Sequence, residues 1–143
     1  MHSTPSGWAA APPVMRDYAR RHGLEPVAFR SDGGVTITFD DRYRVQVRPL
    51  GEGRQGLSSL LLDLGAEPPA RVDELLARLA RYAAGALRSD ASGLALDASG
   101  QLLVLQQSLP PAIDLPRFEI ELAEFVNALA FWTRTAAQEF AQN

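Results

Sequence analysis

Hydrophobic positions along the chain switch between a helical and an alternating period, and each switch marks an element. In PVMRDYARRHG, from Pro13, the residues Val14, Met15 and Tyr18 share one stripe. Proline suits a first helical turn and Gly23 supplies the stop, so a short helix is predicted. In GVTITFDDRYRVQVRPL the period falls to two. Val35, Ile37 and Phe39 lie opposite Thr36 and Thr38; beyond Asp40 and Asp41, Tyr43, Val45 and Val47 alternate with Arg44, Gln46 and Arg48. That pattern predicts an antiparallel hairpin with one wet face.

GLSSLLLDLG, residues 56–65, reads as a third strand with Leu60, Leu62 and Leu64 on one face, although three consecutive leucines fit a helix as well. After Pro68 and Pro69, Val72, Leu75, Leu76, Leu79, Tyr82, Ala83, Ala86 and Leu87 return to helical spacing. The AAGA patch around Gly85 allows close approach by another backbone, from the same chain or from a second copy. GLALDASGQLLVLQQSL reads as a second hairpin turning at Asp97–Gly100. From about Leu115 to Gln142, one seam of Phe118, Leu122, Phe125, Leu129 and Trp132 predicts a long final helix.

The order is helix, three strands, helix, two strands, helix. This is an α+β layout with helices packed on an antiparallel sheet. Residues 1–12 are small, polar or Pro-rich and read as a flexible arm, with Trp8 available to dock on the body; residues 13–143 read as one domain.

Composition narrows the function. The 143 residues lack cysteine, which removes disulfides, thiolate metal sites and cysteine nucleophiles and fits the cytosol. No apolar run reaches the roughly 18 residues of a membrane helix, and the N-terminus has no basic region before an apolar one. Residues 1–54 carry eight Arg against six acids, residues 55–143 six Arg against eleven, for a net charge of -3. That balance argues against a partner held through its phosphates, and so against a DNA-binding regulator.

Candidate chemistry is sparse. GEGRQG, Gly51–Gly56, has the spacing of a dinucleotide loop but precedes a strand rather than a helix, so it reads as a hairpin loop. His2 and His22 lack metal-ligand spacing. Asp40 and Asp41 suit a turn, and Glu119, Glu121 and Glu124 suit the positive end of the last helix. Ser58, Ser59, Ser92, Ser99 and Ser108 have no G-x-S-x-G context. No cofactor is expected.

Several segments together resemble the class I type III secretion chaperones, the Tir-chaperone or CesT-like family. They are RHGLEP, VTITFDDRYRVQV, VDELLARLARYAAGAL, LALDASGQLLVLQQSLP and LPRFEIELAEFVNALAFWTRTA, covering about residues 14–137. The resemblance implies a cytoplasmic homodimer without enzymatic activity. It binds the N-terminal segment of a secreted effector in extended form, keeps it secretion-competent and delivers it to the export apparatus, whose ATPase is a further partner. By the same resemblance Val14, Met15, Tyr18, Val35, Ile37 and Phe39 are the effector-binding patch. Leu75, Leu79, Tyr82, Ala86, Leu87, Leu94 and Leu96 are the dimer interface. The N-terminal arm is longer than the family pattern and able to cover part of the patch. Two alternatives stay open: an adaptor of the same fold outside type III secretion, and a small nucleotide-binding enzyme using GEGRQG.

Overall fold

The structure, a computed structural model, describes residues 6–86 and 91–142. The first helices are α1 (Ser6–Ala10) and α2 (Pro13–His22). Pro13 opens α2 and Gly23 closes it with φ 74°, a left-handed conformation that glycine adopts without a Cβ penalty. A 3-10 turn, Pro26–Ala28, leads to strands β1 (Val35–Phe39), β2 (Tyr43–Gly51) and β3 (Arg54–Asp63). Helix α3 (Pro69–Ala86), strands β4 (Gly93–Leu96) and β5 (Leu102–Leu109), and helix α4 (Leu115–Ala141) complete the chain. The predicted order of elements is therefore observed, and α1 is added at its start.

The five strands form one sheet in the order β1-β2-β3-β5-β4, with every neighbouring pair antiparallel. Helix α4 lies across β3, β2 and β5, while α2 and α3 pack on α4. The core lies between this helical layer and one sheet face. Its sheet side is Val35, Ile37, Val45, Val47, Leu57, Leu103, Leu105 and Leu109; its helix side includes the whole predicted seam of α4. Asp114 caps α4, its carboxylate accepting from the Arg117 N–H at 2.9 Å.

One local prediction changes. Leu60, Leu62 and Leu64 do not share a face, because the β3–β5 register shifts between Leu60 and Leu62. Leu60 pairs with Val104 and is 55% exposed on the outer face, whereas Leu62 pairs with buried Leu103 and Leu64 is buried. One extra residue in a strand reverses its alternation. Within the stretch read as an arm, α1 is helical, and the Trp8 ring packs edge-on against Phe29 with centroids 5.4 Å apart. Gly7 permits this contact: a Cβ there would stand 2.1 Å from the Arg30 carbonyl oxygen.

Candidate partner-binding surfaces

Residues expected to meet a partner are mostly committed to the core. Val14, Met15, Tyr18, Val35 and Ile37 are buried within the single chain, and Phe39 is half-buried against the same core. They are the inward positions of α2 and β1, and hydrophobic periodicity identifies inward positions before it identifies a docking site. Leu75 and Leu79 are 2% and 1% exposed, so one chain already takes the area they would give to a second. Leu94 is half-buried, whereas Leu96 and Tyr82 are exposed on β4 and α3. Ala86 ends α3, and Leu87 lies outside the described residues.

The second face of the sheet is open. Its middle row crosses all five strands as Thr36, Gln46, Ser58, Gln106 and Gly93, each paired with the next. On one side runs Arg48, Gly56 and Ser108, with the Leu50 side chain folded over Gly56, where a Cβ would meet it at 3.0 Å. On the other side Thr38 pairs with Arg44, and Leu60 pairs with Val104, which pairs with Ala95. Two shallow clefts mark this surface. One, of about 460 Å³, is lined by Arg48, Leu50, Gly56 and Gln106 among others. The second, of about 690 Å³, is lined by Arg42, Arg44, Gln46, Arg48, Leu60 and Val104 and also reaches Leu129 and Thr133 of α4. Among the described residues no carboxylate lines either cleft. Strands β1 and β4 have a neighbour on one side only, so backbone groups on their outer sides have no ladder partner within the described residues.

Acidic side chains instead join the helices to one another and to the sheet. Glu119 meets His22 Nε2 at 3.1 Å and Arg21 Nη1 at 3.3 Å, tying α4 to the end of α2. The Tyr18 ring stacks on His22, and burial first, then the Glu119 charge, raises its phenol above the ordinary value. Tyr82 donates to Glu139 Oε1 at 2.8 Å; that bond and the Glu139 charge raise the Tyr82 phenol. Arg78 Nε lies 3.6 Å from Glu139 Oε2, within ion-pair reach but beyond a hydrogen bond. Glu121, expected to favour the helix terminus, is buried and accepts from Gln107 Nε2 at 2.7 Å. Sequence reading misses this role because the partner lies on β5.

GEGRQG is the β2–β3 hairpin. Gly51, Glu52 and Gly53 all have positive φ, and antiparallel β3 follows directly, so no helix N-terminus stands where a pyrophosphate would bind. Among the described residues no group of three or more His, Cys, Asp or Glu side chains is placed to hold a metal ion, and no helix is long and apolar enough to cross a membrane.

Solved structures with a similar fold include chains from three protein complexes. The chain resembles one in the HopA1–SchA chaperone–effector complex (TM-score 0.63, 20% identity, 94% of this chain and 99% of that one). It also resembles a chain of the ExsC–ExsE complex (TM-score 0.64, 20% identity, 94% and 96%). A third is in the complex of the Yersinia pestis type III secretion chaperone SycH with a stable fragment of YscM2 (TM-score 0.53, 16% identity, 87% and 98%). No curated protein matches the chain in sequence. Residues 14–133 match the Tir chaperone protein (CesT) family, and the chain, with the hairpins and seam that family resemblance implies, belongs to it.

Proposed function

We propose that this protein is a cytoplasmic type III secretion chaperone. It binds the N-terminal segment of one or more secreted effectors, keeps that segment secretion-competent and presents it to the export apparatus, including its ATPase. It has no enzymatic activity of its own. The observation that carries this reading is the family match over residues 14–133. The open sheet face and the two unpaired edges supply what such a task needs: main-chain groups for an extended peptide, and side-chain clefts beside them.

The working form is a homodimer. With Leu75 and Leu79 buried in one chain, the contact falls to residues that retain surface, namely Tyr82 on α3 and Leu94 and Leu96 on the β4 edge. Effector contact likewise passes from the inward residues of α2 and β1 to outward ones of the same sheet. Affinity capture with the full-length protein from its own bacterium tests this reading. A secreted protein retained through its N-terminal segment by a dimeric bait is the expected result. A monomeric bait that retains no secreted protein overturns it in favour of an adaptor with the same fold.

A further inference from the structure

The charge of the open sheet face differs from that of the whole chain. The net charge is -3, yet the outward rows of the sheet carry Arg44 and Arg48 and, among the described residues, one acid, Asp63, which stands at the end of β3 opposite Leu102 and accepts from the Gly65 N–H. Arg42 joins them at the rim of the larger cleft, while Asp40, Asp41 and Glu52 sit in the turns at the ends of β2. Arg44 and Arg48 are both exposed and take part in no ion pair among the described residues. Every other outward side chain of the middle row is neutral and polar, or glycine. Beside the arginines stand Leu60, 55% exposed, and Leu50, 54% exposed.

Four residues along a strand separate the two guanidinium stems by about 13 Å. Unpaired guanidinium groups at that spacing favour a ligand with carboxylates of matching separation, for which Arg provides planar two-pronged hydrogen bonding. The exposed leucines flank the arginines rather than separate them and call for apolar side chains next to those carboxylates. A second copy of the same face does not fit, because a two-fold contact would set arginines against arginines. A nucleic acid does not fit either: two arginines on a net acidic chain release too few counterions.

We infer that the open sheet face, through Arg44 and Arg48 with Leu60 and Leu50, docks an acidic, apolar segment of a polypeptide partner. This rests on the reading that the protein holds a segment of another chain, and it specifies that segment's chemistry.

The test uses a display library of random 16-residue peptides, selected against the full-length protein and against its Arg44→Glu/Arg48→Glu variant. Both positions are exposed, so the variant is expected to keep the parent's circular dichroism and melting temperature. Peptides selected by the parent are expected to be enriched in Asp and Glu next to apolar residues and to weaken as salt is raised. Each is expected to bind the variant about tenfold or more weakly, while the variant selects Lys- and Arg-rich peptides instead. That reversal of preference cannot come from misfolding. The inference is overturned by parent binders without acidic enrichment, by enrichment that survives the double substitution, by no binders at all, or by a change of oligomeric state in the variant. If a secreted N-terminal segment is captured while the peptides show no acidic preference, the chaperone reading stands and this inference fails; the converse result leaves the face and removes the chaperone.

Discussion

Gln107, in the middle of β5, donates its side-chain amide to the Glu121 carboxylate of α4 at 2.7 Å, and both residues are buried. Arg117, one turn earlier on α4, donates to the other oxygen of the same carboxylate. The sheet and its covering helix are therefore joined by a hydrogen-bonded polar group inside a mostly apolar layer. A buried carboxylate is tolerated only when such donors replace water.

Removing that carboxylate leaves the Gln107 amide buried without its acceptor. Glu121→Ala is expected to lower unfolding free energy by about 1–3 kcal/mol, the cost of one unsatisfied buried group. Urea unfolding monitored by circular dichroism measures it. Arg117→Ala, which removes an exposed partner only, is expected to cost about 1 kcal/mol or less. Equal losses in the two variants would place the stabilisation in the ion pair rather than in the buried amide contact.

How far the sequence carries this architecture depends on range. Local signals suffice for the elements: Pro13 and Gly23 bound α2, Asp40 and Asp41 adopt the positive φ of a tight turn, and the Phe118–Trp132 seam is buried along its whole length. Signals fail where a contact joins distant segments. The slip at Leu60–Leu62 depends on how β5 pairs with β3, and the burial of Glu121 on a glutamine of β5. Periodicity also picks out the inward residues more readily than the outward ones. Val35 and Ile37 are conspicuous because they are apolar, and a half-buried strand sends its apolar residues inward. The solvent-facing set is the less conspicuous alternate one, Thr36, Arg44, Gln46 and Arg48, legible in the pattern as its wet face.

Asp97 gives the second hairpin a dependence on pH. Its carboxylate accepts from the Ser99 hydroxyl at 2.7 Å and from the Leu102 and Gln101 N–H groups at 3.0 and 3.2 Å. The Ser99 hydroxyl first, then the Leu102 N–H, hold it below the ordinary carboxylate range near about 4. A carboxylate with a lowered folded-state pKa stabilises the fold fully above its unfolded value, and that stabilisation is lost as pH falls through the folded value. Asp97→Ala is therefore expected to melt below the parent at neutral pH, with the gap closing only below about pH 4. Melting curves of both proteins from pH 7 down to pH 2 decide it. A gap independent of pH would mean that the turn gains nothing from the charge.

Gly7 holds α1 against the loop after the 3-10 turn, because a Cβ there would collide with the carbonyl oxygens of Phe29 and Arg30. Those are backbone atoms and cannot rotate away. Gly7→Ala is expected to undock α1 and expose Trp8 while leaving the core under α4 in place. The observable is a red shift in tryptophan emission with greater quenching by acrylamide, at a melting temperature within a few degrees of the parent's, because few residues are released. Trp132, buried on α4, supplies the unchanged part of the spectrum. Unaltered quenching would show that the backbone shifts to admit the methyl group.

Leu79 and Leu96 separate stability from association. Leu79 is 1% exposed within one chain, so Leu79→Ala is expected to cost about 2–5 kcal/mol through lost burial and the cavity left behind. That loss belongs to each chain and lowers the melting temperature at every protein concentration. Leu96 is 38% exposed on the β4 edge, so Leu96→Glu is expected to leave the fold of one chain within about 0.5 kcal/mol of the parent. At a contact between copies, the two-fold relation brings the new carboxylates together and the dimer weakens. Sedimentation velocity across a dilution series, with melting curves at the same concentrations, reads both effects, because a stabilising association makes melting temperature depend on concentration. The expected outcome is a dimeric Leu79→Ala variant with a depressed melting temperature and a monomeric, well-folded Leu96→Glu variant. A monomeric Leu79→Ala that melts like the parent would return α3's buried face to the interface. A fully dimeric Leu96→Glu would remove the β4 edge from it.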